Sequence, residues 1–91
     1  MQNIPRPSTD ENTYTVYVRS GCPYCTNLIA ALNKTNTPSI IINCDAYMRQ
    51  NKALFFEHME QMIGHTWKTV PIVFLNRQFI GGYTETTPLL Q

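Results

Sequence analysis

The sequence predicts a small α/β domain with a mixed four-stranded sheet, in the order βαβαββ and with a short or missing final helix. In the first half of the chain, two short strand-like segments flank a segment of helical periodicity, which predicts parallel strands joined by a crossover helix. In the second half, an amphipathic segment precedes two strand-like segments only two residues apart, which predicts a helix and a hairpin. The 91 residues suit one domain.

The first half provides a strand, a helix and a second strand. Residues 13–18, TYTVYV, are β-branched and aromatic, which indicates a strand covered on both faces. Apolar residues then recur at helical spacing from Pro23, a residue suited to the first helical position, to about Lys34. Residues 39–43, SIIIN, are predicted to form a second buried strand, parallel to the first.

The second half provides a helix, a hairpin and a short tail. Residues 50–63 predict an amphipathic helix that Gly64 terminates. Its apolar side is predicted to carry Leu54, Phe55, Met59, Met62 and Ile63. The segments IVFL and QFI are separated by a turn at Asn76 and Arg77. The tail TETTPLLQ has room for one helical turn or little more.

Composition and charge restrict the class of protein. Residues 1–12 are polar and proline-containing without periodicity, so we predict a flexible arm before a domain over residues 13–91. The formal net charge of +1 does not predict a basic surface that would bind nucleic acid or an anionic membrane. The chain has neither an apolar secretory core nor 18 consecutive apolar residues, and its three cysteines are an odd number. We therefore expect a soluble, intracellular protein with reduced thiols. We also predict a cytoplasmic location and a monomer.

Cys22 and Cys25 stand two residues apart where a strand ends and a helix begins. The free N–H groups of a first helical turn stabilise an anion, so we expect the Cys22 thiol to ionise more readily than a free cysteine. The apolar face of this helix contains Cys25, Leu28, Ile29 and Leu32. We therefore expect Cys22 to be an accessible nucleophile and Cys25 to face inward and resolve the intermediate.

Two other interpretations of the cysteine pair are weaker. Two cysteines at this spacing form half of many zinc sites. The remaining candidates, Cys44, His58 and His65, do not supply a second close pair of the usual spacing. A purely structural disulfide is less favoured still, because so short a loop constrains the unfolded chain little. Redox chemistry is the favoured interpretation.

Three separated motifs carry a family resemblance. They are CPYC at residues 22–25, TVP at 69–71 and GGYTE at 81–85. Together, over residues 13–87, they resemble the dithiol glutaredoxins, which have a thioredoxin-like fold. The Pro-Tyr dipeptide between the cysteines favours a glutaredoxin over a thioredoxin.

The resemblance implies a glutathione-dependent thiol-disulfide oxidoreductase in which Cys22 attacks and Cys25 resolves. The glutathione-binding residues that it implies are Arg19, Tyr24, Thr69, Val70, Pro71, Gly82, Tyr83 and Thr84, with a cis bond before Pro71. Glutathione would act as reductant and co-substrate, and no metal is expected. The implied partners are glutathione and disulfide-containing or glutathionylated proteins, among which the family suggests ribonucleotide reductase.

Departures from the family pattern and rival hypotheses remain. Thr84 and Glu85 stand where the family commonly has Ser-Asp or Asp-Asp, and the final family helix is nearly absent, so we expect weaker glutathione binding. One alternative is a module that binds an iron–sulfur cluster between two copies through Cys22 and glutathione, against which Pro23 and Tyr24 argue. Another is a thioredoxin-like adaptor whose cysteines are incidental.

Overall fold

Residues 3–90, which the computed structural model describes, contain four strands and three α-helices. These are β1 (Tyr14–Val18), α1 (Pro23–Lys34), β2 (Ser39–Asn43), α2 (Asp45–Ile63), β3 (Ile72–Leu75), β4 (Gln78–Gly81) and α3 (Tyr83–Thr86), followed by a 3₁₀ turn (Thr87–Leu90). The predicted order βαβαββα, with a short final helix, is confirmed.

The sheet is mixed, with the strand order β2-β1-β3-β4. Strand β1 is parallel to β2 and antiparallel to β3, and β3 pairs with β4 in the hairpin. Every residue of β1 is buried, because the strand has a neighbour on each side and is covered on both faces. The predicted parallel pair, the predicted burial of β1 on both faces and the predicted hairpin are confirmed.

Strand β2 has the predicted bounds but not the predicted burial. It lies at an edge of the sheet, and Ile40 and Ile41 remain 43% and 39% exposed. The prediction of a buried second strand was wrong. An isoleucine run indicates a strand, but its position in the sheet depends on which partners the rest of the chain supplies.

Two hydrophobic clusters fill the two sides of the sheet. The first cluster joins α1 to the sheet and includes Val16, Val18, Leu28, Leu32 and Val73. The second joins α2 to the sheet and includes Tyr17, Phe55, Phe56, Met59, Phe74 and Cys44. Neighbouring residues of β1 therefore point into different clusters, as the pleat of a strand requires.

Helix α1 has the predicted bounds, whereas α2 is longer than predicted. It begins at Asp45 and is interrupted at Asn51, whose backbone is extended and whose Oδ1 accepts a hydrogen bond from the Leu54 N–H at 3.0 Å. Leu54 is exposed and Phe56 is buried, which corrects the predicted apolar side. Gly64 ends the helix in the left-handed conformation, as predicted. No helix of residues 3–90 is long and apolar enough to span a membrane.

The hairpin turn also agrees with its prediction. Asn76 and Arg77 both have positive φ, at 52° and 66°. Two consecutive left-handed residues match the right-handed twist of the strands that they connect. The turn fixes the register of β4, and hence the position of its last residue, Gly81, and of Gly82 after it.

The N-terminal segment packs on the domain, although residues 1–12 were predicted to form a flexible arm. Ile4 is 5% exposed and belongs to the cluster beneath α2. The Tyr17 hydroxyl donates to the Pro5 carbonyl at 2.6 Å, and the Ser8 N–H donates to Thr15 Oγ1 at 2.9 Å. A single apolar side chain without periodicity gave no local sign of this docking. Residues 1 and 2 lie outside the described residues.

Candidate active site

The cysteine pair lies at the start of α1 and forms a disulfide between Cys22 and Cys25. Cys22 is the N-cap with an extended backbone, and Pro23 occupies the first helical turn. The Cys25 N–H donates to Cys22 Sγ at 3.2 Å, and the two Cα atoms are 5.2 Å apart. One otherwise unpaired helical N–H group therefore points at the first sulfur, as the sequence predicts.

Both cysteines are buried in this oxidised form. Cys25 is 2% exposed and lies with Leu28 and Leu32 against the sheet, so its predicted inward orientation is confirmed. Cys22 is 4% exposed, and the prediction of an accessible Cys22 is not met here. Its sulfur is bonded back over the first helical turn and lies 3.7 Å from the carbonyl oxygen of Val70.

The second segment of the site is the loop that enters β3. The Val70–Pro71 bond is cis, as the resemblance implies. The Trp67 indole Nε1–H donates to the Thr69 carbonyl at 3.0 Å, which closes this loop on itself. The loop therefore places the Val70 carbonyl beside the Cys22 sulfur, and the Trp67 indole lies against the Thr69 carbonyl of the same loop.

The third segment begins at the last residue of β4 and contains two adjacent glycines, Gly81 and Gly82. Gly81 has a φ of 137°, and a Cβ there would lie 2.6 Å from Glu85 Cγ. A Cβ on Gly82 would lie 3.2 Å from the Pro71 carbonyl oxygen, which is closer than almost all Cβ contacts in proteins. The Gly82 N–H donates to Glu85 Oε1 at 2.7 Å and so fixes the start of α3. The glycine pair lets this backbone approach the loop before β3 closely.

These segments surround an open cleft of about 320 Å³. Its lining residues are Tyr24, Trp67, Thr69, Val70, Pro71, Gly82, Tyr83, Thr84 and Glu85. Tyr24 is 61% exposed, and its ring centroid lies 5.4 Å from that of Tyr83. The structure therefore brings together all but one of the non-cysteine residues that the resemblance implies.

Arg19 is the implied site residue that does not line this cleft. It is exposed in a neighbouring cleft beside Asp45 and Arg49, and its Nη1 donates to the carbonyls of Ser20 and Gly21 at 3.2 and 3.4 Å. The guanidinium is therefore bound to the loop that leads to the cysteine pair.

Sequence reasoning missed two residues of the cleft. Trp67 was not among the predicted site residues, and Glu85 was named only as a departure from the family pattern. The spacing of Gly82 and Glu85, with a glutamate three residues after a helix start, is a signal that could have revealed the second. No local pattern distinguishes a cleft-lining tryptophan from a core one. Residues 3–90 contain no group of three or more His, Cys, Asp or Glu side chains that could hold a metal.

Comparison with known proteins agrees with this geometry. The sequence model of the Glutaredoxin family matches residues 14–80. The chain belongs to the glutaredoxin family. Glutaredoxin 1 of Escherichia coli is 30% identical over 70 residues, which are 77% of this chain and 82% of that protein. Chloroplastic glutaredoxin-C5 of Arabidopsis thaliana is 29% identical over 89 residues, and the match spans 98% of this chain but only 49% of the plant protein.

Solved glutaredoxin structures share the fold. Glutaredoxin 1 from Francisella tularensis, complexed with cacodylate, superposes with a TM-score of 0.65 at 29% identity and covers 84% of this chain and 88% of that one. A buckwheat glutaredoxin–glutathione complex gives a TM-score of 0.67 at 21% identity, with 82% and 64% of the two chains covered. The predicted thioredoxin-like α/β fold is confirmed. Membership of the glutaredoxin family is consistent with thiol-disulfide oxidoreductase chemistry.

Proposed function

We propose that this protein is a glutathione-dependent thiol-disulfide oxidoreductase that reduces glutathione mixed disulfides and protein disulfides. The observation that carries the proposal is the contact between Cys22 Sγ and the Val70 carbonyl, 3.7 Å apart. The contact brings the first sulfur of the redox pair next to the backbone carbonyl of Val70, a residue of the cleft wall. Cys22 is 4% exposed in the oxidised form, so a peptide thiol lying along that wall reaches the sulfur only when this cysteine becomes more exposed.

Glutathione is the proposed ligand of the cleft. In this arrangement the Thr69–Pro71 segment faces its cysteinyl unit, and Gly82, Tyr83 and Thr84 face its γ-glutamyl end. Tyr24 supplies an aromatic wall. Arg19 reaches the glycyl carboxylate only if it leaves the carbonyls of Ser20 and Gly21. The buckwheat relative, a glutaredoxin that was crystallised with glutathione, supports this choice of ligand.

The chemistry is thiol–disulfide exchange. With a glutathione mixed disulfide, the Cys22 thiolate attacks the glutathionyl sulfur and the substrate leaves as a thiolate that takes up a proton. A second glutathione thiolate then attacks the same glutathionyl sulfur, which releases oxidised glutathione and restores the Cys22 thiolate. With a protein disulfide, the Cys22 thiolate attacks one substrate sulfur and the other substrate sulfur leaves as a thiolate. The Cys25 thiolate then attacks Cys22 Sγ, which forms the Cys22–Cys25 disulfide and releases the second substrate thiolate. Two glutathione molecules then reduce that disulfide.

Two substitutions test these roles with a glutathionylated peptide and with a protein disulfide as substrates. Cys22→Ser is expected to abolish both activities. Cys25→Ser is expected to retain deglutathionylation, because glutathione itself resolves that intermediate, and to lose protein-disulfide reduction. Equal loss in the two variants would contradict the assignment. A wild-type protein that reduces protein disulfides without any glutathione requirement would contradict the choice of reductant.

The physiological substrate and the compartment are further parts of the proposal. Glutathionylated proteins are the general substrate class, and ribonucleotide reductase is one target that the resemblance suggests. A cytoplasmic location fits the proposed cycle, since a glutathione pool at about −220 to −260 mV can reduce a couple near −200 to −230 mV.

A further inference from the structure

Glu60 is an acidic side chain at an unfavourable place in its own helix. It lies in the last turn of α2, which ends at Ile63 and contains no basic residue in that turn. A negative charge near a helix C-terminus opposes the helix dipole, so this position does not favour a glutamate for the sake of the helix. Its contacts outside the helix provide another reason for the carboxylate to be there.

The Glu60 carboxylate binds the loop that forms one wall of the cleft. Its Oε2 accepts a hydrogen bond from the backbone N–H of Trp67 at 2.8 Å and forms an ion pair with Lys68 Nζ at 2.9 Å. The Glu60 side chain is only 19% exposed, whereas that of Lys68 is 61% exposed. The bond to the Trp67 N–H is therefore the more sheltered of the two, and a charged acceptor strengthens it.

Trp67 connects Glu60 to the residues that line the cleft. Its indole Nε1–H donates to the Thr69 carbonyl at 3.0 Å, and its ring packs on Phe79 with centroids 4.9 Å apart. The atom Cζ2 of the ring lies 3.5 Å from where a Cβ on Gly82 would stand. A continuous set of contacts therefore connects the end of α2 to both the loop before β3 and the segment after β4.

We infer that Glu60 is a positioning residue of the glutathione cleft: by holding Trp67 it keeps the Thr69–Pro71 wall in the geometry that receives the ligand. This inference rests on the proposed function. Glu60 touches none of the reacting atoms, so its loss changes ligand binding and leaves the exchange step at Cys22 intact. The expected signature is a raised KM for glutathione substrates with kcat preserved.

The test compares Glu60→Ala with Glu60→Gln and with Glu57→Ala. The glutamine keeps an acceptor for the Trp67 N–H, whereas alanine removes it. Glu57 is an exposed glutamate of the same helix and serves as the matched control. Since alanine favours the helix and removes the unfavourable charge, Glu60→Ala is expected to fold. Circular dichroism checks this in each variant.

Two readouts are measured on each variant. The first is hydrogen exchange of the Trp67 backbone and indole N–H groups by NMR. The indole signal is simple to assign because the chain has a single tryptophan. We expect exchange to accelerate roughly threefold to tenfold in Glu60→Ala, as the loss of one partly exposed hydrogen bond implies. The second readout is steady-state kinetics with a glutathionylated peptide, for which a comparable rise in KM and a kcat within about twofold are expected. Glu60→Gln should lie nearer to wild type, and Glu57→Ala should match it.

Each contrary outcome has a distinct meaning. Unchanged hydrogen exchange at Trp67 in Glu60→Ala would show that Glu60 does not hold Trp67 and would overturn the inference. Accelerated exchange with an unchanged KM would overturn its role in ligand positioning, and so would an effect confined to kcat. If the wild-type protein lacked activity with glutathione substrates, the proposed function would fail, while the exchange comparison would still decide whether Glu60 holds the loop.

Discussion

Asp45 binds Ser20 through both carboxylate oxygens. Its Oδ2 accepts from the Ser20 hydroxyl at 2.6 Å, and its Oδ1 accepts from the Ser20 N–H at 2.9 Å. Asp45 begins α2, whereas Ser20 lies two residues before the cysteine pair. The two contacts therefore connect the start of that helix to the loop that presents Cys22. At the other end of α2, Glu60 connects the helix to the loop before Pro71.

The Asp45–Ser20 contact leads to a prediction for activity. In Asp45→Ala both acceptors are lost, so the loop before Cys22 loosens and kcat/KM with a glutathionylated peptide falls by roughly threefold to tenfold. Ser20→Ala removes only the hydroxyl donor and should have the smaller effect. Steady-state kinetics on the two variants checks this order. A larger loss in Ser20→Ala would show that the serine hydroxyl acts in some way other than through Asp45.

The same contact predicts a dependence of stability on acid pH. Hydrogen bonds from the Ser20 hydroxyl and N–H hold the pKa of Asp45 below its ordinary value, with Arg49 adding to the effect. Since the folded pKa is below the unfolded one, the stabilisation is complete above about pH 4 and is lost as pH falls through the folded pKa. Urea unfolding of wild type and Asp45→Asn between pH 2 and 7 should give free energies that converge at low pH. A constant difference across this range would contradict the prediction.

The buried thiol of Cys44 leads to a prediction for stability at alkaline pH. Burial raises the pKa of its thiol to about 12, against a partial opposing effect of the Val18 hydrogen bond. Because the folded pKa exceeds the unfolded one, its contribution to stability is complete below about pH 8.5 and declines at higher pH by about 1.4 kcal/mol per unit until the folded thiol ionises. The free energy of unfolding of Cys44→Ala should therefore decline less between pH 9 and 11 than that of wild type.

Alkylation provides a second measurement on Cys44. In the reduced native protein at pH 8, iodoacetamide should leave Cys44 unlabelled, because this residue is fully buried and its thiol stays protonated. In urea it should be labelled like the other two cysteines. Peptide mass spectrometry distinguishes the sites, and rapid native labelling of Cys44 would contradict the burial that the structure assigns to it.

The docked N-terminal segment leads to a prediction about stability. Ile4→Ala removes a buried side chain from the cluster beneath α2 and should lower the free energy of unfolding by about 2 kcal/mol. Thr9→Ala, at an exposed position of the same segment, should change it by less than about 0.5 kcal/mol. Denaturant unfolding of both variants checks this. An unaltered midpoint in Ile4→Ala would mean that the segment contributes nothing to folding.

The sequence by itself determined the elements whose signals are local. Pro23 and the helical spacing after it set the start and end of α1, Gly64 set the end of α2, and Asn76 with Arg77 set the hairpin. The three motifs identified the family and most of the cleft. Each of these signals lies within a few residues, where backbone preference and side-chain periodicity decide the conformation.

Only the tertiary structure decided the features that depend on distant partners. The sheet order left Ile40 exposed at an edge, although its segment looks like a buried strand. Ile4 is buried because the folded chain places it among the apolar side chains beneath α2. The contacts of Asp45 with Ser20 and of Glu60 with Trp67 join segments whose spacing in the chain has no periodicity to reveal them. Burial and pairing energies are properties of the assembled fold, and a single sequence reports them only where they coincide with a local preference.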